Sequence, residues 1–205
     1  MTDKLYLYPI WIRLWHIFNA LFFLTLLFTG LSMQYSSPEN PLIRFDLAVA
    51  VHNASGMLLS ANYLFFFIGN LVTPNGRYYK TTFRGIFDRL IIQFRYYTSG
   101  LFKGAKAPFP ITKDRKFNPL QQFTYLGAMY FLIPLLIITG WALLYPEILF
   151  KSFLGMSPLR INDLFHIVAG FLASVFMFVH VYFCTIGSTP VSSFKSMIDG
   201  YHETH

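Results

Sequence analysis

Apolar residues along this chain gather into four runs of about twenty. Each is long enough to cross the ~30 Å hydrocarbon core of a bilayer as an α-helix. The runs cover roughly residues 11–33, 47–72, 123–145 and 161–186, and residues 73–118 form a long polar connection between the second and third. Pro134 lies inside the third run, where membrane helices tolerate a kink if neighbours satisfy the freed carbonyl. The start of the chain resembles a signal peptide, with Lys4 and Arg13 ahead of an apolar stretch. No small-x-small cleavage pattern follows, so a retained span is expected. The pattern predicts an all-α integral membrane four-helix bundle, with residues 1–205 as one membrane domain.

Charge orients the spans. The connection 73–118 holds Arg77, Lys80, Arg84, Arg89, Arg95, Lys103, Lys106, Lys113, Arg115 and Lys116 against Asp88 and Asp114 alone. The other loops, near Ser36–Arg44 and Pro146–Arg160, are close to balanced. The positive-inside rule places the basic connection and both termini on the cytoplasmic side. Within that connection, Phe83–Tyr97 mixes aromatics and arginines at helix-like spacing, which predicts an amphipathic helix at the inner interface. Basic-plus-aromatic composition also suits nucleic acid. Tethering between two spans argues against that partner and for the lipid bilayer.

Composition narrows the chemistry. The chain is 55% hydrophobic and only 12% charged, too apolar for an ordinary soluble domain. Its single cysteine, Cys184, excludes an internal disulfide framework, a covalent c-type haem site and an iron–sulfur site built from this chain's own cysteines. Cys184 reads as an apolar-helix residue. His202 and His205 fall in a polar tail and read as solvated. No constellation for nucleophilic catalysis is present.

A weak internal repeat runs through the spans. Leu26-Leu27-Phe28-Thr29-Gly30 recurs as Leu136-Ile137-Ile138-Thr139-Gly140, and the His52…Gly56 spacing recurs as His166…Gly170. Two related helical hairpins would explain this.

The remaining four histidines fall at two depths. His166 and His180 are fourteen residues apart in the fourth run. On a helix that is about 1400°, ~40° short of four turns, with a rise of ~21 Å. Both rings therefore point to one face, near opposite sides of the membrane. The topology levels His16 with His180 on the inner side, and His52 with His166 on the outer side. Intramembrane ionisable residues are costly and usually functional. Two facing neutral imidazoles suit a six-coordinate haem b, which needs no thioether bond. Gly56 and Gly170, one turn after a ligand, leave backbone room for a flat macrocycle. Gly30 and Gly140 are expected to let the outer haem approach the helices, and Arg13 to pair with a propionate of the inner one.

These residues resemble a known family, the four-helix dihaem cytochrome b subunits of bacterial respiratory oxidoreductases. Its members are formate dehydrogenase gamma subunits, NiFe-hydrogenase b-type cytochromes and thiosulfate reductase cytochrome b subunits. The carriers are Trp11-Ile-Arg-Leu-Trp-His16 with the later Thr29-Gly30, His52-x-x-x-Gly56, and the His166/His180 pair. The segment Lys116-Phe-Asn-Pro-Leu-Gln121 is similar to the stretch that helps bind menaquinone in the gamma subunits, although Pro119-Leu120 replaces the small residues expected there. The resemblance implies two haem b groups as cofactors and a cytoplasmic-side site for menaquinone or ubiquinone bordered by Asn118 and Gln121. It also implies an iron–sulfur, multihaem or catalytic redox subunit as partner. An amide hydrogen-bonds a quinone carbonyl. Equally, Asn-Pro starts a helix, with Pro119 at the first helical position.

The expected role is a membrane anchor that conducts electrons between such a partner and the quinone pool, without acting on the partner's substrate itself. Three other roles fit the same spans. A haem-free channel or transporter would use the histidines as a proton relay, a purely structural anchor would dock a peripheral enzyme, and a stand-alone transmembrane haem reductase would need no partner.

Overall fold

The structure is a computed structural model that describes residues 4–37, 39–40, 42–148, 157–187 and 189–203. After a short strand β1 (Lys4–Tyr6) come α1 (Ile10–Tyr35) and α2 (Phe45–Val72). A 3-10 turn at Pro74–Tyr79 leads to α3 (Ile86–Arg95). The third span is α4 (Pro119–Gly127), a wide π turn at Ala128–Leu132, and α5 (Ile133–Leu144). The fourth is α6 (Pro158–Cys184), followed by α7 (Ser192–Asp199) and strand β2 (Tyr201–Glu203). Among the described residues, four stretches are long and apolar enough to cross a membrane: Ile10–Tyr35, Phe45–Val72, Pro119–Leu144 and Pro158–Cys184.

The spans match the expected runs with informative shifts. The third begins at Pro119 because Asn118 and Gln121 close a capping box. The Asn118 side chain accepts from the Gln121 N–H, and the Gln121 side chain accepts from the Asn118 N–H. Proline at the first helical position needs no partner for its missing donor. Pro134 is the second residue of α5. The π turn just before it widens the helix where the proline withholds an N–H.

The chain divides into two compact units. The span unit comprises Ile10–Ile68 and Leu132–Tyr182. The loop unit comprises Met1–Pro9, Gly69–Phe131 and Phe183–His205.

Burial in the span unit is inverted relative to a soluble bundle. Ile10, Leu21, Phe28, Phe171 and Phe178 are exposed, whereas Thr29, Ser32, Ala48, Ser55, Thr139, Ala169 and Ala173 are buried. Small and hydroxylated residues let helix backbones approach each other, and large apolar side chains meet lipid. The tryptophans tie the helices together. Trp15 stacks on the fully buried Phe66 at 4.2 Å between centroids. Its carbonyl accepts from Asn62 Nδ2 at 3.2 Å. Trp141 Nε1 donates to Ser60 Oγ at 3.1 Å.

In the loop unit, the amphipathic segment forms as α3, begun at Gly85 in the left-handed region at φ +65°. Phe87, Ile91 and Phe94 make an exposed stripe at helical spacing, while Ile86 and Gln93 turn inward. The polar C-terminal tail does not stay apart. β2 pairs antiparallel with β1, with His202 opposite Leu5 and Tyr201 opposite Tyr6. The turn into β2 requires Gly200 at φ +87°, where a Cβ would meet Tyr6 Cε2 at 2.7 Å. His202 is therefore half-buried in a strand. His205 lies outside the described residues.

Candidate functional site

The four intramembrane histidines meet in two pairs within the span unit. The ring centroids of His16 (α1) and His180 (α6) are 6.1 Å apart, with planes at 55°. Those of His52 (α2) and His166 (α6) are 6.4 Å apart, with planes at 73°. These are the pairings the sequence topology predicts. The tiers are separated by about 21 Å along α6. The same spacing recurs on α1, where His16 and Thr29, which touches His52, are thirteen residues or about 20 Å apart.

Hydrogen bonding fixes the tautomer of one tier. Thr29 Oγ1 lies 2.9 Å from His52 Nδ1 and 2.7 Å from the Thr25 carbonyl. Thr139 Oγ1 lies 2.8 Å from His166 Nδ1 and 2.7 Å from the Leu135 carbonyl. Each hydroxyl has one proton, and the helix carbonyl takes it. The hydroxyl must then accept from Nδ1–H. Both rings are thereby set as Nδ1–H tautomers, with the Nε2 lone pair left for a ligand role. Asn162 Nδ2 donates to the Thr139 carbonyl at 2.9 Å and steadies that turn of α5.

The glycines divide by role. A Cβ on Gly30 would lie 3.4 Å from His52 Cε1, and one on Gly140 would lie 3.2 Å from His166 Cε1. These two positions therefore make room for the imidazole edges, where the sequence suggested room for a macrocycle. A Cβ on Gly170 would meet nothing within 4 Å, and one on Gly56 only Leu26 Cδ2 at 3.9 Å. Backbone at these two positions stays open to a flat group. Ser60 and Ser174 donate to the carbonyls of Gly56 and Gly170 at 2.8 and 2.7 Å. That extends the internal repeat by one more equivalent pair.

The donor set fits haem better than a bare ion. Among the described residues no group of three or more His, Cys, Asp or Glu gathers. Each tier thus offers two imidazoles, too few for a protein-only tetrahedral site. A porphyrin supplies four nitrogens and leaves two axial positions. A metal–imidazole bond of about 2 Å, with about 1 Å more from nitrogen to ring centre, sets two coaxial ligands about 6 Å apart. The observed 6.1 and 6.4 Å agree with that. Beside His16, Trp15 Nε1 and Asn19 Oδ1 are buried without a hydrogen-bond partner among the described residues. The indole N–H is a donor of the kind a haem carboxylate satisfies. Arg13 lies one turn before His16 on α1 and is half-buried.

The loop unit holds the other predicted residues. Asn118 is 7% exposed, and its oxygen is committed to the capping box. Its Nδ2 donates to Tyr97 Oη at 2.8 Å. Gln121 likewise spends its side-chain oxygen on the backbone. Both amides therefore build the start of α4, and Asn118 also holds Tyr97. Burial raises the Tyr97 phenol pKa, with Asn118 and Gln93 opposing through hydrogen bonds.

Sequence reading missed three features. Thr29 and Thr139 were visible only as a repeated Thr-Gly; their hydroxyl role needs the facing helix. Trp15 stood only as part of the Trp11–His16 motif, and Asn19 carried no signal beyond its place on the His16 helix. Lys116 counted as a loop charge and as the start of the Lys116–Gln121 segment, with no role of its own, yet it is 3% exposed and donates to Asn75 Oδ1 at 3.1 Å.

A family model described as prokaryotic cytochrome b561 matches residues 7–200. A curated protein of Escherichia coli (strain K12), named "Putative cytochrome YdhU", is 42% identical over 200 residues, which cover 98% of this chain and 75% of that protein. No solved structure matches the chain.

Proposed function

The chain belongs to the prokaryotic cytochrome b561 family, and from that premise we propose that it carries electrons between a partner redox subunit and the quinone pool through two haem b groups. A bacterial membrane protein that binds haem b and transfers electrons is the shared character of that family. The finer assignment is ours. His16 and His180 hold one haem, and His52 and His166 hold the other. The role fits a dihaem subunit of the formate dehydrogenase, hydrogenase or thiosulfate reductase type. The basic connection 73–118 supports a cytoplasmic location for the loop unit and both termini.

A bis-imidazole haem b supplies reversible one-electron iron chemistry. The residues of this chain do the rest. Thr29 and Thr139 hold the His52 and His166 rings in one tautomer and one plane. Gly30 and Gly140 admit the ring edges, and Gly56 and Gly170 keep the backbone low. Arg13 and Trp15 offer cationic and N–H partners to propionates at the His16 tier. Asn118 and Gln121 border the quinone, with Asn118 acting through Tyr97, whose hydroxyl is one group that can meet a carbonyl oxygen. Electrons run from an outer partner to a cytoplasmic-side quinone, or in reverse from quinol to a reductase.

The observation that carries this reading is the pair of histidine couples at 6.1 and 6.4 Å. A pyridine haemochrome assay on the purified protein should give about two haem b per chain. His180→Ala should remove one and leave the other. Survival of both would show the pairing to be wrong, and a colourless wild type would favour the proton-relay transporter.

A further inference from the structure

Lys116 is a buried cation with no anion beside it among the described residues, whose ion pairs are Arg44–Asp46 and Arg77–Asp114. Among the same residues its Nζ makes one hydrogen bond, to Asn75 Oδ1. That oxygen is aimed by a small polar scaffold. Asn75 Nδ2 donates to Asn70 Oδ1 at 2.7 Å, and Asn75 N–H to Thr73 Oγ1 at 3.3 Å. The rest of the ammonium faces aromatic rings, with Nζ 4.5 Å from the Tyr8 centroid, 5.5 Å from Tyr78 and 5.7 Å from Phe117. Cation–π contacts of this kind return part of the desolvation cost but accept no hydrogen bond of normal strength. A buried ammonium with donors to spare, walled by flat rings, suits a flat ligand that carries a carbonyl oxygen.

We propose that Lys116 is the proton donor of the quinone site, with its ammonium bonded to one quinone carbonyl oxygen. This rests on the quinone reading above. In full reduction the quinone gains two electrons and two protons. The electrons arrive by the haem b electron-transfer route. At the lysine end an Nζ–H bond breaks and an O–H bond forms on the carbonyl oxygen. The neutral amine regains its proton from water, and the second carbonyl oxygen takes its proton from water at the far end of the ring.

The surroundings poise the group. Burial lowers the Lys116 pKa from 10.5 to about 7, so the ammonium can give up a proton near neutrality. The titratable groups that face it are Tyr8, from the N-terminal segment, and Tyr78, from the 3-10 turn. Burial pushes the Tyr8 phenol up to about 12, so it stays protonated throughout. Tyr78 is hydrogen-bonded by Arg77, which in turn lies 3.8 Å from Asp114. Among the described residues no carboxylate lies within ion-pair distance of Lys116 to hold its proton.

The test follows re-oxidation of the chemically reduced haems in the full-length detergent-purified protein by a short-chain menaquinone analogue, across about pH 5.5 to 9. The wild-type rate should fall through an inflection near neutrality. Lys116→Met should keep its haem spectrum, react at least ~10-fold more slowly at acid pH and lose the inflection. Lys116→Arg keeps a charge that does not titrate in this range. It should hold the quinone with unchanged half-saturation and also lose the inflection. A wild type without the inflection, or a Met variant with wild-type rate and profile, overturns the proposal while leaving the quinone reading intact. Should the Met variant fail to hold haem, the Arg variant decides, since a retained inflection there overturns the proposal. Wild-type haems that neither a menaquinone nor a ubiquinone analogue re-oxidises would remove the quinone reading itself.

Discussion

The two histidine tiers present the same pair of ligands in different surroundings. At His52–His166 each ring leans on a threonine hydroxyl, and the glycine after that threonine clears its edge. The arrangement is duplicated, once from α1 to α2 and once from α5 to α6. At His16–His180 the neighbours are aromatic. Trp15 sits edge-on to His16 at 6.3 Å, and Phe176 stacks on His180 at 6.0 Å and 16°. Among the described residues no hydroxyl reaches the His16 ring. Threonine hydroxyls orient one tier, and aromatic rings flank the other. A ligand whose far nitrogen donates to an oxygen is more basic, and it favours oxidised iron. On the proposed ligation, the threonine contacts would lower the potential of the His52–His166 haem.

Deleting one ligand should produce the largest effect. His52→Ala and His16→Ala should each drop the haem content from about two to about one per chain, with different spectra remaining. Identical residual spectra would mean that the tiers are not independent sites. Crowding the duplicated tier comes next. Gly140→Ala places a methyl 3.2 Å from His166 Cε1, and Gly30→Ala one at 3.4 Å from His52 Cε1. The approach at Gly140 is overpacking, which costs about 1–3 kcal/mol, whereas that at Gly30 is ordinary van der Waals contact. Haem transfer to an apoprotein acceptor should speed up by roughly tenfold for Gly140→Ala and change little for Gly30→Ala. Equal rates would show that the rings yield freely.

Thr139→Val removes the acceptor at His166 without touching the other tier. A lost hydrogen bond of about 0.5–1.5 kcal/mol corresponds to roughly 20–65 mV for one electron. A redox titration should show one midpoint rising by that order and the other unmoved. Movement of both midpoints would erase the distinction between the tiers.

The smallest effect is a control outside both tiers. Lys116 has a folded pKa near 7 against 10.5 for a free lysine. Below about pH 7 both folded and unfolded chains carry the proton, and the cost of burying it is fully present. Between about pH 7 and 10 the folded chain sheds it first, so stability rises with pH. The melting temperature should climb by a few degrees from about pH 6 to 9. Lys116→Met should flatten this rise, with the haem spectrum of both tiers unchanged.

Much of the architecture follows from one-dimensional facts. Apolar run length selects four spans, because a bilayer core accepts only chains that satisfy their own backbone. Fourteen residues between His166 and His180 set two depths on one helix face, since helix rise and twist are fixed. The even number of spans then levels His16 with one ring and His52 with the other. Other features depend on which helix faces which. The Thr29 and Thr139 hydroxyls gain meaning only against rings 23 and 27 residues away. Asn118 and Gln121 look like ligands in sequence, but their oxygens close a capping box. Lys116 reads as a surface charge until residues from 41 positions upstream and from the N-terminal segment enclose it. Periodicity and length act locally and are written in the chain. Burial, tautomer and the company a charge keeps are long-range, and only the folded helices decide them.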